Sequence, residues 1–512
     1  MEELNYILNG VAQTAKPGMT ILEAAREAGV NIPTLCFLKD CNEIGACRVC
    51  LVEIKGKSSL MPACVAKVTE GMEIVTESPE IDEARKESLE RICAEHFFEC
   101  DFCPRYCDCE LYMLMIKYGV DENKLKYAKT LTVEAPDTSA EHLVCDPSKC
   151  IECRRCVSVC KDGLGDEGNA IIQDKEKSYP ARAAALEETV GFHNGQCITV
   201  CPTGALSERN ETRWAFNAIK AKDTYTVAIV SPYSAVAFGE TLHFPMGEAD
   251  GMGKLVGALR DIGFDAVFDG SIGINMAAQK LAQELRTANK PVISGACAAF
   301  SRMCAAKYPE FVAPQSIMAD FAEVCRETVK EAAQGKKIHV IAIEPCTAEK
   351  HKEYTGSLDG VLTTNELSSM WKKACVSRFT ARDLWKTMEP SAPDAIPGAP
   401  EGDCALMTYG GILELALKQL SGGTVSFNAV DEDGVSEAVY ETEGGTKRAV
   451  LVIGLGKAQK LMEKLSKGEV TYDSVEVIGC PGGCIVGGGQ PRRYSETYSY
   501  LGVPAREAAL TQ

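Results

Sequence analysis

The chain has 512 residues, 25 of them cysteine, and a formal net charge of −18. That length predicts about three to five domains. The cysteines fall in short CxxC steps within a chain far longer than a disulfide-stapled secreted scaffold, so they point to metal ligation in a reducing, cytoplasmic setting. The negative charge argues against nucleic acid as a partner. No apolar run approaches the ~20 residues of a membrane span, and Met1-Glu2-Glu3-Leu4-Asn5 does not read as a signal peptide.

Residues 1–78 begin with an apolar run, Leu4 to Leu8, then Asn9-Gly10, a strong turn signal. A short helix is expected around Ile21 to Ala28. Cys36, Cys47, Cys50 and Cys64 follow, the middle pair inside Gly45-Ala46-Cys47-Arg48-Val49-Cys50. This spacing is too uneven for zinc modules, which favour two CxxC pairs. It resembles a plant-type ferredoxin domain, as found at the front of iron-only hydrogenases and of the iron–sulfur subunit of respiratory complex I, and implies a [2Fe–2S] cluster. Cys41 stays open as an alternative ligand, because Cys36-x4-Cys41 also mimics the plant-type start.

Residues 79–120 read as a helix from Ile81 to Ile92 leading into His96-x3-Cys100-x2-Cys103-x5-Cys109. A lone histidine is usually a surface or core residue, but here it stands one helical turn before a CxxC. The spacing resembles the His-ligated [4Fe–4S] site of the same two families; Cys107 is then a spare neighbour and Cys93 a packing residue. Residues 140–210 carry Cys150-x2-Cys153-x2-Cys156-x3-Cys160, the run of a bacterial ferredoxin. In two-cluster ferredoxins the fourth cysteine of each run serves the other cluster. The return run keeps Cys197 and Cys201 but has Gly191 and Asn194 where its first two cysteines belong. Crossed ligation leaves one complete [4Fe–4S] set, Cys150, Cys153, Cys156 and Cys201, and the second cluster is expected to be absent unless His193 or Cys145 completes it.

From residue 222 to 512 apolar strands alternate with helices, which predicts parallel sheets covered on both faces. Three apolar runs end in cysteine loops: Pro291 to Ser294 leads to Cys297, Ile338 to Ile343 leads to Cys346, and Val475 to Ile478 leads to Cys480-Pro481-Gly482-Gly483-Cys484 with a glycine tail. Ligands of open α/β sheets bind beyond the carboxyl ends of the strands, so four sulfurs are expected to meet around one centre. The Pro-rich piece from Glu389 to Pro400 reads as a loop, and Cys304, Cys325, Cys375 and Cys404 as core residues.

The cluster string together with Ser294-Gly295-Ala296-Cys297, Pro345-Cys346-Thr347-Ala348, Thr408-Tyr409-Gly410-Gly411 and Cys480 to Gln490 resembles the iron-only ([FeFe]) hydrogenases over nearly the whole chain. The fold this implies is a series of α+β ferredoxin-like modules followed by a large α/β domain with parallel sheets that holds the H-cluster, a [4Fe–4S] cube joined to a diiron unit. By position, Cys484 bridges the two parts, Cys297, Cys346 and Cys480 complete the cube, and Ala296, Pro345, Thr347, Lys350, Gly410, Gly411, Gly488 and Gln490 line the cofactor. Departures from the family pattern are Ala296 at a proton-relay cysteine, no glutamate near Leu281 except the neighbouring Glu284, Glu349 in place of a lysine with Lys350 one position on, and Glu344 ahead of Pro345. The resemblance implies H2 oxidation or proton reduction at an attenuated rate, a flavin/NAD(H)-type redox partner subunit or ferredoxin, hydrogenase maturation proteins and a hetero-oligomer. The alternative is a non-catalytic electron-transfer or H2-sensing subunit.

Overall fold

In the computed structural model the described residues are 3–106, 108–127, 133–160, 194–245, 247, 250–311, 316–351, 355–375, 378–399, 411–423, 425–429, 435–491 and 503–510. Cys107, Gly191, His193, Cys404 and the segment Thr408-Tyr409-Gly410 lie outside them.

The amino-terminal sheet contains β1 (Leu4–Leu8), β2 (Val11–Ala15), β3 (Leu51–Ile54), β4 (Met61–Pro62) and β5 (Glu73–Val75), in the order β2-β1-β5-β3-β4. Asn9 and Gly10 both have positive φ, 51° and 83°, the backbone that joins two twisted strands in a two-residue hairpin. The helix Ile21–Glu27 starts with a capping box between Thr20 and Glu23, and its Ile21 and Leu22 enter a core with Tyr6, Ile32, Val52 and Ile74. Helix Pro79–Ala94 is capped by Ser78. Its buried Arg85 donates to the carbonyls of Leu51 at 2.7 Å and Thr76 at 3.0 Å, fixing the helix to the sheet. Leu89 and Cys93 then pack with Leu35, Val49, Leu111 and Met115. Helix Glu110–Tyr118 completes this layer, and around it Phe102, Tyr106, Tyr112, Met113 and Ile116 stay exposed, Phe102 by 82%.

A two-stranded antiparallel sheet, β6 (Leu143–Cys145) with β7 (Leu206–Glu208), closes the next unit. Its core gathers Leu143, Cys156, Cys197, Ile198 and Cys201, joined by Leu38 from the first unit.

Two sheets build the remainder. The first, β8 (Thr224–Val230), β9 (Ala266–Asp269), β11 (Lys337–Glu344) and β12 (Gly360–Thr363), is wholly parallel in the order β12-β11-β8-β9. The second, in the order β10-β16-β15-β14-β13, is mixed. Here β10 (Val292–Ile293), β15 (Gly445–Ile453) and β16 (Ser474–Ile478) are parallel, while β14 (Val435–Thr442) pairs antiparallel with both β15 and β13 (Asn428–Ala429). The expectation of parallel sheets therefore holds for the first and is corrected for the outer half of the second. Strand β14 alternates buried Ala438 and Tyr440 with exposed Val439 and Glu441, the pattern of an antiparallel strand with one face to water rather than a buried apolar run.

Candidate metal centre and cluster sites

Strands β10 and β16 are paired in parallel, Val292 with Ser474 and Ile293 with Val475, so Cys297 and Cys480 leave the same sheet edge side by side. A Cβ placed on Gly479 would lie 3.0 Å from Cys297 Sγ. Strand β11 brings Cys346 from the other sheet. The glycine tail locks the two together: Gly489 N–H donates to the Pro345 carbonyl at 2.7 Å, and a Cβ on Gly487 would lie 2.4 Å from that same oxygen. The four thiols are close enough to act on one another. Burial first, then neighbouring cysteines, pushes Cys480 up to about 12 and raises Cys484; burial, then Glu349, then the other cysteines raise Cys346, and burial raises Cys297. Four such thiols stay protonated unless a metal holds them as thiolates. Cys484 is exposed by area, yet burial among its neighbours is the first cause of its raised value. Four thiols from strand-end loops are, as a donor set, the chemistry of an iron–sulfur group.

The surrounding side chains divide into those that lie by this cysteine group and those that turn elsewhere. Thr347 is fully buried beside it. Glu476, a carboxylate inside the apolar strand β16, accepts from Leu413 N at 3.1 Å and from Ser294 Oγ at 3.4 Å, and burial pushes it up to about 8. Gly411 has φ +55°, and a Cβ there would sit 2.4 Å from Glu476 Oε2. Gln490 spends its amide on structure instead: Nε2 donates to the Tyr233 carbonyl at 2.7 Å and Oε1 accepts from Thr364 at 2.8 Å. Lys350 likewise turns away, its buried ammonium donating to Val361 O at 2.6 Å and pairing with Glu366 at 2.9 Å and Glu211 at 3.2 Å. Glu284 lies on the solvent face of helix Gly270–Thr287.

At the amino-terminal sites the cysteines stand in pairs. Cys50 and Cys64 Sγ are 3.3 Å apart and share a hydrogen bond. Cys36 and Cys47 share another, which draws Cys36 down to about 6 and raises Cys47. Two sulfur pairs suit two irons. Cys41 packs elsewhere, against the core that holds Cys197 and Cys201. Asn42, fully buried, donates to the carbonyls of Cys36 at 2.7 Å and Cys153 at 2.9 Å, tying two sites into one frame.

His96 is buried, and burial pushes it down to about 4, so it is a neutral imidazole; its Nδ1 has no hydrogen-bond partner among the described residues. A neutral ring with an orphaned nitrogen is what a metal ligand requires. Cys103 touches Gly204, where a Cβ would come within 2.4 Å of its sulfur, and Cys109 Sγ lies 3.8 Å from the Pro202 carbonyl. Arg105 donates to the Cys201 carbonyl. Both outer sites therefore adjoin the loops that carry Cys153 and Cys201.

A seam joins this front end to the centre. A Cβ on Gly195, φ +73°, would lie 2.4 Å from Thr347 Oγ1, and one on Gly488 would lie 2.2 Å from the Asn194 carbonyl. Gln196 Nε2 donates to Cys480 Sγ at 3.3 Å and to Val486 O at 2.8 Å. Nothing in the sequence singles out Gln196 or Asn42. Glu476, also missed by motif and spacing, does carry a signal there, as a charge inside an apolar run.

Residues 224–488 match the model of the iron only hydrogenase large subunit, C-terminal domain, and residues 2–79 match a 2Fe-2S iron-sulfur cluster binding domain. The chain belongs to the iron-only hydrogenase family. It is 30% identical to iron hydrogenase 1 of Clostridium pasteurianum, over 95% of this chain and 88% of that protein. It is 29% identical to the NADP-reducing hydrogenase subunit HndD of Solidesulfovibrio fructosivorans, over 97% of this chain and 90% of that one. A subunit of the NADH-quinone oxidoreductase of Rhizobium meliloti matches at 32% identity over 37% of this chain and 22% of its own length. The cofactors of this hydrogenase-family chain are accordingly of the iron–sulfur and H-cluster type, and the chain is an oxidoreductase subunit.

Against the family pattern four positions now have surroundings. Ala296 packs with the apolar core that includes Ile274, Ala278 and Met318. Leu281 is buried in that same core. Burial raises Glu344 and Glu349, the latter also through the neighbouring Glu344, and both bear on Cys484.

Proposed function

We propose that this hydrogenase-family subunit oxidises H2 or reduces protons at a reduced rate, with Cys297, Cys346, Cys480 and Cys484 holding the H-cluster. When bound, that cluster supplies the heterolytic cleavage of H2 and its reverse. The convergence of four cysteines from three strand ends beneath a glycine tail, with the front end seated against it through Gln196, carries the reading. A centre that served only structure would need no such seat. Cys36, Cys47, Cys50 and Cys64 hold a [2Fe–2S] cluster; His96, Cys100, Cys103 and Cys109 one [4Fe–4S] cluster; Cys150, Cys153, Cys156 and Cys201 another. The contacts of Asn42 and Arg105 set these ligand loops against one another, an order suited to moving single electrons between the centre and a flavin/NAD(H)-type partner subunit in the cytoplasm. Relatives named as subunits of NADP-reducing and NADH-quinone enzymes support such a hetero-oligomer. Ala296 gives the attenuation: an alanine side chain neither accepts nor donates a proton.

The second reading, an H2-sensing or electron-relaying subunit, is favoured by the apolar surroundings of Ala296. An infrared spectrum of anaerobic protein made with the hydrogenase maturation proteins tests both. Bands of iron-bound CO and cyanide, with Ala296→Cys raising H2 turnover about 10²-fold as expected for a restored proton transfer, support catalysis. Bands without any gain in Ala296→Cys favour sensing, and a bandless spectrum in protein that still contains iron and sulfide leaves electron relay alone.

A further inference from the structure

Arg155 opens the short helix Arg155–Ser158 between Cys153 and Cys156, and it is 2% exposed. A guanidinium so deeply buried is costly unless its charge is paired and its donors are used. The charge is paired: Nη1 donates to Glu110 at 2.9 Å and, at 3.5 Å, to the Val200 carbonyl. Its other donors are not used. Nε and Nη2 are buried and have no hydrogen-bond partner among the described residues. Buried donors of this kind are rarely abandoned, so an acceptor other than polypeptide is called for.

The surroundings indicate which. Arg155 stands two residues after Cys153, and the loop that carries Cys36 is bonded to the same segment. The backbone carbonyls of the same two cysteines are clasped by Asn42, whose Oδ1 accepts from Ser158 at 2.8 Å, one turn along the helix from Arg155. Glu110, the partner of Nη1, directly follows Cys109. One buried cation is thus common ground to cysteines of separate sets.

We propose that Arg155 is a shared hydrogen-bonding and electrostatic element of the [2Fe–2S] and adjoining [4Fe–4S] sites, with Nε and Nη2 donating to cluster sulfur and Glu110 moderating the charge. The proposal rests on the cysteine sets assigned above. Reduction adds one negative charge to a cluster, so a fixed cation and N–H donors to sulfur stabilise the reduced form and raise the potential. Arginine keeps its proton at any ordinary pH. Both sites therefore shift together, independently of pH.

Redox titration of the full-length, cluster-loaded protein followed by electron paramagnetic resonance tests this, since the two cluster types have separate signals. Arg155→Met lowers the midpoint potential of both by about a tenfold change in the oxidised-to-reduced ratio, ~59 mV for a one-electron couple. Arg155→Lys, which keeps the charge, recovers part of the shift. Glu110→Gln moves both potentials upward and stands as the test by itself if Arg155→Met fails to fold. Unchanged potentials in the loaded variants, or a shift confined to one cluster, overturn the proposal. Wild-type protein that lacks one of the two signals after reconstitution overturns the cysteine assignment instead, and iron and sulfide analysis tells the two failures apart.

Discussion

Between Cys36 and Cys201 most candidate ligands lie within a few positions of the next, on loops laid over small cores; Cys297, Cys346 and the Cys480–Cys484 loop are far apart in sequence and meet only because two sheets are packed. The first arrangement is local and the second tertiary. In the front end the apolar groups are modest, one of them being Leu35, Val49, Leu89, Cys93, Leu111, Met115 and Val120. The back half has large continuous cores around β8, β11 and β15. A small core leaves much of the folding free energy to bound metal, whereas a large one forms a cradle whether or not the metal arrives.

The largest test of that contrast is removal of iron. Anaerobic chelation should abolish hydrogen-exchange protection in helix Glu110–Tyr118 and in β6 and β7, while β8, β11 and β16 keep theirs; equal loss in both halves would end the distinction. The seam between the halves is the next point to strike. Gly488→Val places side-chain carbons where Asn194 O and Gly195 Cα already lie within 2.3 Å of a Cβ, at a cost of ~1–3 kcal/mol for forced overpacking. Its thermal unfolding should split into two transitions, and a single transition at the wild-type temperature would show that the seam gives way freely. A smaller effect separates the buried carboxylate of the back half from the metal question. Glu476 has a folded pKa raised to about 8 from 4.5, so its proton favours the fold at low pH and that contribution is lost as pH rises from 4.5 to 8. Between pH 7 and pH 6 the wild-type chain should gain roughly 1 kcal/mol that Glu476→Gln does not; parallel stability profiles would contradict the assignment.

The same contrast decides what could be read in advance. The hairpin at Asn9-Gly10, the helix before His96, the Cys150 run and strands β8, β9, β11 and β16 are each written in a few neighbouring residues, by turn chemistry, spacing or an unbroken apolar run. Strand β14 was not, because its apolar face alternates with water-facing positions such as Val439. In the site, cysteines were legible as residues with one characteristic chemistry, but the duties of amides and ammonium groups were not. Lys350 and Gln490 stand close to the motif cysteines in sequence and spend their hydrogen bonds elsewhere. Gln196 stands far from Cys480 in sequence and reaches its sulfur. Spacing cannot report where a flexible polar side chain finds its partner, since that depends on which loops the sheets bring together.

Gly195 is packed against Thr347 and Gly488 so closely that its position admits no side chain. The chain therefore carries a lineage constraint where its front end meets the rest: front ends and back halves of this kind cannot be recombined as freely as beads on a string. A ferredoxin-like front end transplanted from another protein joins this back half only if it brings a bare backbone to position 195, and a back half lent elsewhere must take the matching glycine at 488 with it.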